Sequence, residues 1–214
     1  MFATDRDLAA LDPAAFRDAA WIAQVVTRGT GSISGVLLNA TAIEVPFTDT
    51  AIEAGYVAVL GAGAFEAVQV LGPNDLEVTR MRDSFESLTW PGVNVPASPF
   101  AVVTFRPQIE TVHRRILQLL GMHASPFESS VTLPDSRIVN PWDFVRLEAL
   151  GALHLVYAAA GAIEPEDSPA NQRAAMYRRR FAEERSRVVA HVDLDGDGRV
   201  DVLRPLNAAR LVRG

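Results

Sequence analysis

The spacing of apolar residues divides the chain into helical and extended regions, and the first of these is helical. Residues 4–27 predict helix, because Thr4 and Asp7 are spaced as a capping box and Asp12-Pro13 supplies a second helix start. The run Thr27–Ser32 contains two glycines and predicts the end of that helical region.

Residues 32–106 have the pattern of short strands separated by turns. Segments 61–64 and 72–75 predict tight turns from their glycines and proline, and segment 83–99, with three prolines, predicts a long loop. The predicted strands are Gly35–Pro46, Tyr56–Leu60, Phe65–Leu71, Leu76–Arg82 and Phe100–Phe105. We therefore expect a small antiparallel sheet or barrel in this region.

Residues 107–191 return to helical periodicity. Apolar residues at helical spacing predict one helix from Pro107 to Gly121, followed by a polar loop over 122–139. Asn140-Pro141 opens a helix over Trp142–Ala160 that is apolar on almost all sides, which predicts a buried central helix. Ser168-Pro169 opens a third helix with one strongly basic face.

These elements predict an α+β fold. We expect a bundle of three to four helices with an inserted small antiparallel β-sheet or barrel and a C-terminal extended tail. The predicted domains are residues 1–31 with 107–191 for the bundle, 32–106 for the insertion, and 192–214 for an acidic loop and tail.

Composition narrows the function classes. The 214 residues include no cysteine, which excludes disulfides and cysteine-ligated metal sites. The net charge of −6 argues against non-specific nucleic-acid binding as the main function. No signal peptide is apparent, and the most apolar stretch, Ala149–Ile163, is shorter than the roughly 20 residues of a membrane span. We expect a soluble protein made in a cytoplasm, with no membrane partner.

The segment Asp193–Asp201 is the strongest candidate for a ligand site. Its carboxylates occupy positions 1, 3, 5 and 9 of a loop, Gly198 permits a sharp turn, and hard oxygen ligands at this density favour Ca²⁺. The predicted ligands are Asp193, Asp195, Asp197, the carbonyl of Arg199, and Asp201. Arg204 stands where an EF-hand needs glutamate, and the flanking residues suit strands, so an EF-hand is excluded. The alternative is an acidic turn between two strands that needs no ion.

The basic face of the third helix is the second candidate site. It consists of Arg178, Arg179, Arg180, Arg185 and Arg187. This face predicts either a solvated surface balanced by Glu183 and Glu184, or a contact with an acidic protein surface. DNA contact is a third interpretation, which the negative total charge disfavours.

The sequence contains no recognisable catalytic constellation. The histidines lack metal-binding spacing, and we expect His154 to be a core or interface residue and His113 to lie on a helix surface. There is no GxSxG elbow, no lysine for a Walker A loop and no Rossmann fingerprint. We therefore expect no catalytic residues and a protein that is not an enzyme.

Two segments in the second half resemble a known family. Leu147–Ala160 and Ala174–Arg185 resemble the two long helices of head–tail connector (adaptor) proteins of tailed bacteriophages. In those proteins an apolar helix ends in a tyrosine and alanine stretch, and the next helix has a Tyr-x-x-x-Phe pair, here Tyr177 and Phe181, among many charges. The Asp-x-Asp-Gly-Asp-Gly stretch also looks like members of this group, whereas residues 32–106 depart from its minimal all-helical pattern and would be an insertion.

The resemblance implies a structural protein of the virion neck. Such a protein assembles as a ring, commonly twelvefold, bridges the portal protein and the tail or stopper protein, and lets DNA pass through its lumen without sequence-specific binding. The arginine face and the acidic loop would then be candidates for complementary surfaces, and segment 203–214 could dock on a neighbour. The alternative is a calcium-binding interaction module that is not part of a virion.

Overall fold

The computed structural model describes residues 1–82, 84–92, 94–122 and 133–206. It divides into two compact units, one formed by Thr4–Arg106 and the other by Met1–Ala3 with Pro107–Gly214. Most of the polar loop predicted over 122–139, including His123, and the last part of the predicted C-terminal tail lie outside the described residues.

The first unit is built on a closed barrel of six antiparallel strands. Their order around the barrel is β1-β2-β5-β4-β3-β6, and β6 closes it by pairing with both β1 and β3. Closure leaves no strand edge unpaired, which removes a template for aggregation. The strands are β1 Gln24–Ser34, β2 Leu37–Ile43, β3 Val57–Leu60, β4 Gly63–Val70, β5 Asp75–Thr79 and β6 Val95–Thr104.

Glycine allows β1 and β2 to approach each other closely at one point. A Cβ atom on Gly29 would lie 2.0 Å from the carbonyl oxygen of Ala42, so no larger residue fits there. The pairing of these strands shifts register between Thr30 and Gly31, and such irregularities bend and twist a sheet toward closure. Alternate side chains then fill the interior, among them Leu38, Leu60, Leu76, Phe100 and Val102.

Two short helices, α1 (Asp5–Leu11) and α2 (Ala15–Asp18), belong to the barrel unit. The predicted capping box of Thr4 and Asp7 is confirmed, and Phe16 packs edge-on against Phe105 with ring centroids 4.8 Å apart. The predicted helix does not extend to residue 27. A 3₁₀ turn over Ala20–Ile22 leads into β1, whose extended backbone continues through the glycine run.

The expected fold class is therefore wrong. The chain is not a helical bundle with a small inserted sheet, because a closed six-stranded barrel forms a complete unit of its own. Residues 4–31, which we grouped with the later helices, lie in the barrel unit. The reason is physical. β1 pairs with both β2 and β6, and this long-range pairing outweighs the local preferences of residues 24–34, whose helical spacing and glycines predicted the end of a helix.

The second unit contains three helices and a β-hairpin. The helices are α3 Arg106–Leu119, α4 Trp142–Gly161 and α5 Pro169–Arg185, and the hairpin strands are β7 Val189–Val192 and β8 Val202–Pro205. The first residue of α3, Arg106, is the last residue of the barrel unit. The three helices predicted in this region are confirmed to within two residues at their predicted starts. The hydroxyl of Ser168 caps α5 by accepting the backbone N–H of Asn171, and Pro169 occupies the first turn, as the sequence indicates.

The central helix of this unit is α4. It is longer than the apolar stretch Ala149–Ile163 and is the one helix among the described residues that could cross a membrane by length and composition. Two thirds of it is buried inside the structure (67% of the tested window), and a core helix passes the same test. Gly151 at its middle lets α3 and α5 come close, because a Cβ there would lie 2.7 Å from Val112 and 3.0 Å from Phe181.

Candidate functional site

The Asp-rich loop, residues 193–201, connects the two strands of the β7–β8 hairpin. Val192 pairs with Val202 at the base of the loop, and the backbone N–H of Asp201 donates to the carbonyl of Val192 at 3.0 Å. On its other edge, β7 forms a bridge to Ile138. The prediction that strands rather than EF-hand helices flank this loop is confirmed.

Asp193 organises the loop from its buried base. One of its carboxylate oxygens accepts the N–H of Gly196 and the other accepts the N–H of Gly198 at 2.9 Å, while the Arg137 guanidinium lies 3.6 Å away. Burial opposes ionisation, but these N–H donors and the nearby arginine lower the pKa of Asp193 below its usual value. Gly198 has φ +83°, a left-handed conformation that glycine adopts without strain. Asp193 is therefore ionised over the physiological range.

The remaining three carboxylates of the loop are exposed and each accepts one backbone N–H. Asp195 accepts from Asp197 at 3.1 Å, Asp197 from Arg199 at 2.8 Å, and Asp201 from Leu194 at 2.7 Å. Each of these bonds uses one oxygen of the carboxylate. Hydrogen bonds from the backbone of the loop to its own carboxylates thus hold its shape. The second oxygen of Asp197 lies 4.0 Å from Nε of Arg199.

Three of the five predicted ligands come together. Asp193, Asp195 and Asp197 each offer an oxygen, and these atoms lie within 4.8 Å of one another. Asp201 is not part of this group. The predicted role of the Arg199 carbonyl stays a prediction. Carboxylate oxygens are the donors that Ca²⁺ and similar hard cations take, so the donor set fits such an ion. The guanidinium of Arg137 already places one positive charge beside Asp193. Calcium binding by these three aspartates stays a prediction.

The five arginines predicted as an interaction face have different surroundings. Arg179 lies 3.7 Å from Glu183 one turn further along α5, and Arg180 lies over the ring of Tyr177 at 5.9 Å. Arg187 is exposed beyond the end of α5. Arg178 and Arg185 line a cavity. Because successive residues of an α-helix are about 100° apart around its axis, Arg178 and Arg185 lie on one side of α5, whereas Arg179 and Arg180 lie on other sides.

That cavity, which we call the arginine cavity, lies between α3, α4 and α5 and has a volume of about 310 Å³. Apolar residues of all three helices line it: Val112, Gly151, Leu155, Phe181 and Ala182. Its polar lining consists of Thr111, Arg115, His154, Arg178 and Arg185. It therefore combines an apolar lining with three guanidinium groups.

The three guanidinium groups of the arginine cavity have no acidic partner within 4.0 Å among residues 1–82, 84–92, 94–122 and 133–206. His154 is half-buried, and its Nδ1 lies 3.1 Å from the carbonyl oxygen of Ala174. Because a carbonyl only accepts, Nδ1 carries the proton and Nε2 is the remaining ring nitrogen. No acidic side chain of the described chain neutralises this cavity, so it suits an anionic group from outside.

A buried polar network on α3 and α4 was not predicted. The carboxylate of Glu148 is fully buried; it accepts the backbone N–H groups of Phe2 and Ala3 and lies 2.7 Å from Nδ1 of His113. His113 is therefore buried rather than on the helix surface as expected. Its Nε2 lies 3.3 Å from Asp135.

Asp135 completes this network at the protein surface. Partial burial opposes its ionisation, but the amino group of Met1, 3.2 Å away, and the neighbouring His113 lower the pKa of the Asp135 carboxyl. One signal in the sequence points to the network: Glu148 is the one acidic residue in the predominantly apolar stretch from Leu147 to Gly161 of α4, and a buried carboxylate requires partners. The network anchors residues 1–3 to the helical unit.

Comparison of this chain with protein-family models, with curated proteins and with solved structures finds no match.

Proposed function

We propose that this chain is a structural virion protein of the head–tail connector type. In this proposal its copies form a ring at the neck of a tailed particle, the ring joins the portal to the tail or stopper, and DNA passes through its lumen. The sequence resemblance of Leu147–Ala160 and Ala174–Arg185 to connector helices supports the proposal.

The observation on which the proposal depends is a pair of oppositely charged surfaces within one unit. The arginine cavity presents three guanidinium groups without an acidic partner in the described chain, and the Asp-rich loop presents three exposed carboxylates. A ring needs two different surfaces on each subunit, because one side of a copy contacts the other side of its neighbour. The net charge of −6 also suits a lumen through which DNA must slide without being held.

The test is the assembly state of the full chain. We expect native mass spectrometry to find one closed oligomer of defined stoichiometry, and negative-stain electron microscopy to find annular particles with a central hole. A chain that stays monomeric across the accessible concentration range, both alone and with a portal ring from its own source, contradicts the proposal.

A calcium-binding interaction module is the second candidate. The three carboxylate oxygens of Asp193, Asp195 and Asp197, grouped within 4.8 Å, favour it. This module would remain monomeric, and calcium would stabilise its fold. The same assembly measurement, made in CaCl₂ and in EDTA, therefore separates the two proposals: a connector forms a closed oligomer, whereas the module stays monomeric in both buffers.

A further inference from the structure

We propose that the arginine cavity of one copy receives the Asp-rich loop of the next copy. This inference rests on the proposed ring and names the contact that would hold it together. The cavity is formed by α3, α4 and α5, whereas the loop belongs to the β7–β8 hairpin, so the two surfaces are distinct. A contact between two different surfaces is head-to-tail and can close into a ring.

Charge complementarity selects this occupant. Arg115, Arg178 and Arg185 contribute three positive charges to the cavity, and none has an acidic partner within the described ranges of the chain. In the loop, Asp195 and Asp197 are exposed, and each accepts one backbone N–H with one carboxylate oxygen. The second oxygen of Asp197 lies 4.0 Å from Nε of the exposed Arg199. Guanidinium groups bind carboxylates with strong charge-assisted hydrogen bonds, so the arginines of the cavity suit the exposed carboxylates of the loop.

Apolar surface on the loop matches the apolar lining of the cavity. Leu194 is 45% exposed and Val200 is 44% exposed, although both have large apolar side chains. The cavity offers Val112, Leu155 and Phe181 as apolar contacts. Its volume of about 310 Å³ is at the small end of ligand cavities and suits a side chain better than a large molecule. Leu194, next to Asp195 in the loop, enters the cavity while the carboxylates meet the arginines around it.

The test uses two charge-reversal variants of the full chain and a matched control. Arg115→Glu with Arg178→Glu reverses the cavity, and Asp195→Arg with Asp197→Arg reverses the loop. Arg179→Glu with Arg180→Glu makes the same change of charge on α5 outside the cavity. Each protein is studied by native mass spectrometry and analytical ultracentrifugation in EDTA, so that metal binding by the loop does not contribute, and circular dichroism checks the fold.

We expect the cavity variant and the loop variant each to self-associate at least about tenfold more weakly than the parent, and the control to assemble normally. Mixing the cavity variant with the loop variant restores assembly, because the intact loop of one then fits the intact cavity of the other and the two reversed surfaces attract each other. Raising the salt concentration weakens the parent assembly.

Two results overturn the inference. If the parent forms a ring and both reversed variants form it equally well, the ring exists but another surface holds it. If the cavity variant still assembles but loses binding to a DNA duplex in fluorescence anisotropy, the cavity is a phosphate site. A parent chain that never forms a ring contradicts the proposed function itself, which is a different outcome.

Discussion

Asp5 makes the stability of the barrel unit depend on pH. It lies in α1, fully buried, where its carboxylate accepts the hydroxyl of Thr104 and the backbone N–H of Phe105 at 2.7 Å. Burial raises the pKa of Asp5 from 3.8 to about 7, although the two hydrogen bonds and the charge of Arg106 partly oppose the shift. The folded barrel therefore holds this proton more tightly than the unfolded chain does.

The sign of the effect follows from that difference in proton affinity. The stabilisation from protonated Asp5 is fully present below pH 3.8 and is lost as the pH rises through about 7. At about 1.4 kcal/mol per pKa unit, the whole effect amounts to about 4 kcal/mol. Between pH 5 and pH 8, linkage predicts a loss of about 2.5 kcal/mol in the free energy of unfolding.

Urea unfolding of two variants measures this slope. Trp142→Phe removes the one tryptophan of the helical unit, so that the fluorescence of Trp21 and Trp90 reports on the barrel unit. In this background, Asp5→Asn removes the titrating group and keeps the shape of the side chain. We expect the protein with Asp5 to lose about 2.5 kcal/mol more than the Asp5→Asn variant between pH 5 and pH 8.

Other groups titrate in both proteins, so the contribution of Asp5 is the difference between their changes in the free energy of unfolding with pH. Equal pH dependence with and without Asp5 would falsify the reasoning, since it would mean that the buried carboxyl has an ordinary pKa.

Three further predictions concern the buried network, the barrel and the loop. Glu148→Ala leaves buried N–H donors without an acceptor and is expected to cost about 3 kcal/mol or more by thermal denaturation, and a loss below about 1 kcal/mol would contradict this role. Gly29→Ala places a methyl group 2.0 Å from the carbonyl oxygen of Ala42 and is expected to cost about 2 kcal/mol or more, while Thr30→Ala, one residue along the strand, serves as the control. Calcium in millimolar excess over EDTA is expected to raise Tm, and Asp193→Asn to abolish the rise; identical Tm values in calcium and EDTA would exclude the metal site.

The helices of the second unit were predictable because their signals are local. Ser168-Pro169 starts α5 through one hydroxyl and one fixed backbone angle, and the apolar sequence of α4 indicates burial whatever surrounds it. The Asp-rich loop was predictable for the same reason, since its carboxylates bond to backbone N–H groups two to seven residues away.

The barrel, the arginine cavity and the Glu148 network depend on residues far apart in the chain. Barrel closure requires β6 to pair with β1 about seventy residues earlier, and periodicity within a strand does not identify its partner. Arg115 and Arg178 line one cavity only because Gly151 allows α3 and α5 to converge on α4. The amino-acid sequence by itself determined where helices and turns begin, because those choices are made by neighbouring residues. Tertiary structure alone decided which strands pair and which charges meet, because burial and long-range packing select among locally equivalent arrangements.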